Sequence, residues 1–161
     1  MIRKEEIYKI VSENLTGSEI IIVDIQVGNS NNIRILLDSM NGVNIDECVK
    51  INRLIESNFD RDVEDYQLEV SSYSISEPFI IPLHYKKNLN RMIEVQLKSG
   101  KLIKGHLNKV VLAENENDLS SIEILNKKKV KVEGKKKKTE IEELTTIEFS
   151  EIQKAKLQSV F

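Results

Sequence analysis

Residues 93–107 read IEVQLKSGKLIKGHL. Ile93, Val95 and Leu97 alternate with polar residues, the period of a strand with one buried face, and Ser99-Gly100 supplies a tight turn. Residues 102–112 run back, so the stretch predicts a hairpin that opens an all-β unit. Gly105 stands inside the returning strand, where a residue without a side chain permits the sharp bend that a small closed barrel requires. Further strands are expected at 119–125, 145–149 and 154–160. Between the first two lies 127–138, with eight lysines and one glutamate in twelve residues. So few apolar residues predict a long, mobile loop.

Upstream of the hairpin the pattern changes. The chain's two prolines, Pro78 and Pro82, interrupt both helix and sheet, and 76–90 is read as a linker. It separates an N-terminal domain, 1–83, from a C-terminal domain, 84–161. In the first domain Ile7, Ile10, Val11 and Leu15 recur at helical spacing, with Gly17 as a stop. A β-branched strand at 19–27, an Asn/Gly/Ser turn at 28–32 and a partner strand at 33–38 follow. A second helix starts at Asn44, with Glu47 three positions on as a variant capping box, and Ile45, Cys48, Val49, Ile51, Leu54, Ile55 and Phe59 lie mostly on one side. A strand at 66–72 closes the domain. The fold class is therefore α+β: two helices on one face of a three-stranded sheet, followed by a small β-barrel.

Charge divides at the same place. Residues 1–83 carry 7 Lys+Arg against 15 Asp+Glu, net −8, whereas 84–161 carry 17 against 11, net +6. An acidic half joined to a basic half suggests two partners of opposite charge; the alternative is that the charge keeps the surface soluble. Composition, 40% hydrophobic and 31% charged, belongs to a soluble globular protein. No apolar run is long enough to span a membrane, and MIRKEEIYKI has no apolar signal segment, so a cytoplasmic protein without a membrane partner is expected. One cysteine, Cys48, agrees with a reducing compartment. No heptad demands a dimer, and a monomer is expected.

An enzyme needs a constellation of reactive groups, and none is readable. His84 and His106, with a single cysteine, cannot supply a closed zinc site, and each reads as a packing or surface residue. Cys48, on the apolar side of the second helix, reads as a small core residue rather than a nucleophile. Phosphate-loop and dinucleotide fingerprints are absent, so neither a cofactor nor a small-molecule substrate is expected. The cluster Asp60, Asp62, Glu64, Asp65 lacks the glycine and the terminal glutamate of a calcium loop and reads as a solvated turn. With 5% aromatic residues and no tryptophan, base stacking is a poor main mode of RNA binding; Tyr73 and Tyr85 are the candidates for it.

The helix VNIDECVKINRLIES at 43–57, the strand YQLEVSS at 66–72, the barrel opening at 93–107 and the closing TIEFSEIQKAKL at 146–157 resemble, in that order, the ribosome maturation factor RimP family. The resemblance implies an N-terminal α/β domain, a C-terminal Sm-like β-barrel, and binding to the free small (30S) ribosomal subunit during maturation, partly through a basic small-subunit ribosomal protein. Two departures stand out. The family's proline-glycine turn and aspartate-arginine pair after LEVSS are replaced by Tyr73-Ser74-Ile75-Ser76-Glu77, and the barrel's first glycine is replaced by Asn90, which also tolerates the left-handed conformation. The basic loop 126–140 is longer and more cationic than in a typical member.

The expected function is thus a non-catalytic assembly factor of the 30S subunit. The alternatives are a stand-alone Sm-like module acting on messenger or small RNA, and an enzyme of unknown class. Asp60, Asp62, Glu64, Asp65 and Glu69 are candidates for binding the basic ribosomal protein. Ser71, Ser72, Tyr73, Glu77, Pro78 and Pro82 form the interdomain turn. Lys127, Lys128, Lys129, Lys131, Lys135, Lys136, Lys137 and Lys138 are candidates for rRNA phosphates, the alternative being a solvated loop that touches nothing.

Overall fold

The structure is a computed structural model that describes residues 1–131, 133–134 and 136–158. The chain divides into two compact units, Met1–Ser74 and a second that begins at Ile75.

The first unit runs α1 (Lys4–Asn14), β1 (Ile21–Gly28), β2 (Asn32–Asp38), α2 (Ile45–Asn58) and β3 (Gln67–Ser72), with sheet order β1-β2-β3. β1 and β2 are antiparallel and turn through Ser30 and Asn31, both with positive φ. β3 runs parallel to β2, which requires a crossover, and α2 supplies it. Ile33, Ile35 and Leu37 alternate along the central strand and pack with Ile25, with Ile7 and Val11 of α1, and with Ile51 and Ile55 of α2. Both helices therefore cover one face of the sheet, as their apolar spacing predicts. α2 starts where its cap dictates: the Glu47 N–H donates to Asn44 Oδ1 at 2.9 Å, and the Asn44 N–H donates to Glu47 Oε1 at 3.1 Å.

The second unit runs α3 (Pro82–Lys87), β4 (Met92–Leu97), β5 (Leu102–Leu112), β6 (Leu119–Val130), β7 (Thr139–Glu148) and β8 (Ile152–Leu157). Its strands form one antiparallel sheet in the order β7-β6-β5-β4-β8 around Ile93, Val95, Leu107, Ile122, Ile124 and Ile147. β7 and β8 stand at its two edges; among the described residues no ladder joins them, so the sheet is open. Register shifts in the β5–β6 ladder, at 107–109 and 111–112, bend it. Gly105 is buried at a close approach: a Cβ there would lie 2.8 Å from the carbonyl oxygen of Leu125 and 2.4 Å from Ile124 Cγ2. Asn90 adopts the left-handed conformation, with φ 69°.

Two readings of the sequence change. The segment 76–90 is not a free linker. Pro82 occupies the first position of α3, where its missing N–H costs nothing, so it starts a helix rather than breaking one. Phe79 and Tyr85 are buried in the second unit's core with ring centroids 5.0 Å apart, and the Phe79 N–H donates to the Ala155 carbonyl at 2.8 Å. The division between units accordingly falls between Ser74 and Ile75, ahead of both prolines, rather than at 83/84. The lysine-rich stretch is likewise not a loop over 126–140. β6 continues to Val130 and β7 begins at Thr139, so Lys127, Lys128 and Lys129 lie in a strand. The strand expected at 154–160 is β8, and its last two expected positions lie outside the described residues, as does Lys135.

Candidate functional site

The basic hairpin is built by charge rather than by apolar alternation. Beyond Ile124, the last buried residue of β6, the ladder continues through Lys127↔Glu142, Lys128↔Ile141, Lys129↔Glu140 and Val130↔Thr139. Opposite charges on directly facing residues stabilise a two-stranded ribbon that has no core of its own. Lys128 Nζ lies 2.7 Å from Glu143 Oε2 on one face of the ribbon, and Lys127 Nζ lies 3.9 Å from Glu140 Oε1 on the other. Hydrogen bonding and charge from Lys128 hold the Glu143 carboxyl below the usual glutamate range. Lys131, Lys136, Lys137 and Lys138 lie past the last paired rung and are exposed, with no ion pair among the described residues.

Four of the five acidic candidates fall on the connection from α2 to β3, and three of them are engaged in holding that connection. Asp60 Oδ1 accepts the Asp62 N–H at 2.9 Å, and Asp65 Oδ1 accepts the Tyr66 N–H at 2.9 Å. Glu64 Oε1 accepts from the Met1 amino group at 2.7 Å and from Asn31 Nδ2 at 3.0 Å; those hydrogen bonds, the amino group's first, lower the Glu64 pKa. Arg61 lies 4.2 Å over the Tyr66 ring and beside Asp65, which brings a cation into the acidic turn. Asp62 is exposed and makes no side-chain bond among the described residues, while Glu69 stands on β3 at 3.8 Å from Arg34. Asp62 and Glu69 are thus the acidic groups with most freedom to meet a partner.

Ser71 and Ser72 end β3, and the Tyr73 N–H donates to the Leu37 carbonyl at 2.8 Å, carrying the β2–β3 pairing one residue further. Glu77, which is exposed, and both Pro78 and Pro82 already belong to the second unit. Alongside β3 lies a feature that the motifs did not indicate: a groove of about 490 Å3 between α2 and this edge strand, lined by Ile45, Val49 and Val70 among others, with Arg53 and Glu56. Its signal in the sequence is Ile45 and Val49 themselves, apolar residues of α2 that stay 81% and 39% exposed. Cys48 lines the same groove, half-buried rather than in the core. Burial, with the charge of Glu47, raises its thiol pKa, so it is not a poised thiolate.

Of the two tyrosines considered for stacking, Tyr85 is excluded: it is buried against Phe79, and burial pushes its phenol up to about 12. Tyr73 is half-buried. His84 is buried, and its Nδ1 accepts the Ile80 N–H at 2.9 Å, which places it in the packing of the α3 N-terminus. His106 is half-buried in β5. Among the described residues no group of three or more His, Cys, Asp or Glu could hold a metal ion, and no helix is long and apolar enough to cross a membrane.

A protein named ribosome maturation factor RimP from Porphyromonas gingivalis is 37% identical over 148 residues, which cover 91% of this chain and 93% of that relative. The chain belongs to the ribosome maturation factor RimP family. The model of the RimP N-terminal domain matches residues 10–75, a span that ends within one residue of the first unit's boundary. A RimP from Christiangramia forsetii is 37% identical over 93 residues, 58% of this chain and 59% of that protein. One from Flavobacterium psychrophilum is 34% identical over 94 residues, 58% and 61%. RimP membership supports a role in ribosome maturation.

Proposed function

We propose that this chain acts without catalysis in maturation of the 30S subunit, in the cytoplasm and as a monomer. Its first unit binds a basic small-subunit ribosomal protein and its second binds adjacent rRNA. The observation that carries this reading is the separation of charge onto two compact units of a RimP family member. Asp62 and Glu69 attract the basic protein, while Asp60, Glu64 and Asp65 shape the turn that presents Asp62. We read the bent five-stranded sheet as an Sm-like barrel whose lysine-rich hairpin reaches rRNA phosphates.

The test is binding of the full chain to purified free small subunits across a range of salt. D62K/E69K weakens binding and makes it less salt-sensitive on the protein-contact side, because it removes two attractive charges without touching a carboxylate that holds the turn. Unchanged affinity and unchanged salt dependence for that variant contradict the assignment of the acidic unit. A chain that binds messenger or small RNA as tightly as it binds small subunits supports the alternative of a stand-alone RNA module.

A further inference from the structure

The register of the β6–β7 hairpin separates its lysines into two groups that the amino-acid order runs together. Lys127 and Lys129 face Glu142 and Glu140 in the ladder, while Lys128 faces Ile141 and reaches diagonally to Glu143, so three positive charges stand among three negative ones. The stem is therefore neutral overall. The sequence beyond it, 131–138, carries five lysines against Glu133 alone, a net of +4. Every positive charge that the hairpin has in excess is thus carried at its tip. The paired rungs run on to Val130↔Thr139, six residues past Ile124, and place that tip about 20 Å beyond the buried end of β6, at roughly 3.4 Å per residue.

We propose that the hairpin is a spacer arm with a cationic head. Its ion-paired stem holds the ribbon extended and contributes little to binding, and its tip lysines contact RNA phosphates without reading bases. This rests on the functional reading above and sharpens it, because only part of the lysine run is then an RNA contact. Three features favour RNA phosphate as the occupant. Lysine is a compact point charge that suits phosphate oxygens in any sequence context. The stretch 126–140 has no aromatic residue on which a base could stack. The neutral stem keeps the head's charge well over a Debye length, about 8 Å at physiological salt, from the sheet at the hairpin's base.

The stem and the tip are separable by charge exchange. In K136Q/K137Q/K138Q the head loses three charges. In K127E/K128E/K129E combined with E140K/E142K/E143K the stem keeps its pairing and its net charge. The full-length protein and both variants are titrated with short polyuridylate and, separately, with poly-glutamate over about 50 to 200 mM salt. At about 0.7 per phosphate contact, the tip variant's log–log slope for polyuridylate is shallower by about 2, so over that fourfold salt range the parent loses about 16-fold more affinity than the variant does. The exchanged stem keeps the parental slope, and poly-glutamate binds weakly to all three proteins.

A tip variant with the parental slope overturns the proposal, and so does a stem exchange that lowers the slope as much as the tip variant. Binding of poly-glutamate equal to that of polyuridylate overturns the assignment to RNA. Hydrogen exchange on the β6 and β7 amides verifies that the ribbon persists in each variant. Sedimentation of the tagged parent with free small subunits reads the functional proposal separately. If it fails while the slope difference stands, the ribosomal role is contradicted and not the arm.

Discussion

Replacing Gly105 by alanine tests a close backbone approach in the second unit. The added Cβ would sit 2.4 Å from Ile124 Cγ2, 2.6 Å from Asn126 Oδ1 and 2.8 Å from the Leu125 carbonyl oxygen. The two side chains can rotate, but the carbonyl belongs to β6, whose Leu125 pairs with His106, the residue next to Gly105. Relief therefore requires β5 and β6 to separate locally by several tenths of an ångström, an overpacking that costs about 1–3 kcal/mol. Losing a glycine also restricts the unfolded chain, which offsets about 0.4–1 kcal/mol. The net expectation is a loss of about 1–2 kcal/mol. Amide hydrogen exchange of the full chain reads it directly. Protection of the slowest β5 and β6 amides falls by about 5- to 30-fold, while the β2 amides of the first unit keep theirs. Equal or greater protection in β5 and β6 would refute the close approach, and with it the tight β5–β6 pairing on which the second unit depends.

Three other changes follow from named contacts. Asn44→Ala removes the acceptor that caps α2 and costs about 1 kcal/mol, read as a lower urea midpoint with an unchanged slope. His84→Leu retains the volume of the buried ring but leaves the Ile80 N–H without its acceptor, a loss of about 1–3 kcal/mol by thermal unfolding; a variant as stable as the parent contradicts the packing role. In an NMR titration Glu64 protonates below the ordinary glutamate midpoint, and Asn31→Ala moves the midpoint up, because one of the hydrogen bonds that favour the carboxylate is removed. The direction fixes the linkage: stability from Glu64 is present above the ordinary midpoint and is lost as pH falls through the lowered one.

What was legible in the sequence was local. The Asn44 cap, the apolar stripe of α2 and the turn at Ser99-Gly100 depend on neighbours within one or two turns of chain, and each lies where the pattern puts it. Two features depend on distant partners and were misread. Pro82 looks like a breaker until Phe79, three residues earlier, is seen hydrogen-bonded to Ala155 of β8, which makes the segment part of the second unit's core. The lysine stem carries no apolar alternation; its strand character comes from Glu140, Glu142 and Glu143 across the hairpin, and the facing order of K-K-K and E-I-E-E is the signal that could have revealed it.

The candidate site divides in the same way. A surplus of acid in the first unit is readable from composition, but the use of Asp60, Glu64 and Asp65 in holding their own turn is not, because Asn31 and the chain's first residue reach that turn from another part of the fold. The α2–β3 groove was missed for a related reason: exposed Ile45 and Val49 continue the same apolar pattern as buried Ile51 and Ile55, and only the position of the sheet edge separates them.

The most direct test of a role in small-subunit maturation is sedimentation. The chain is tagged at native expression and the lysate is resolved on a gradient at moderate salt. The account predicts co-migration with free small subunits, weakened as salt rises, and depletion from complete ribosomes and polysomes. Migration with messenger-RNA particles, or equal occupancy of complete ribosomes, would contradict it.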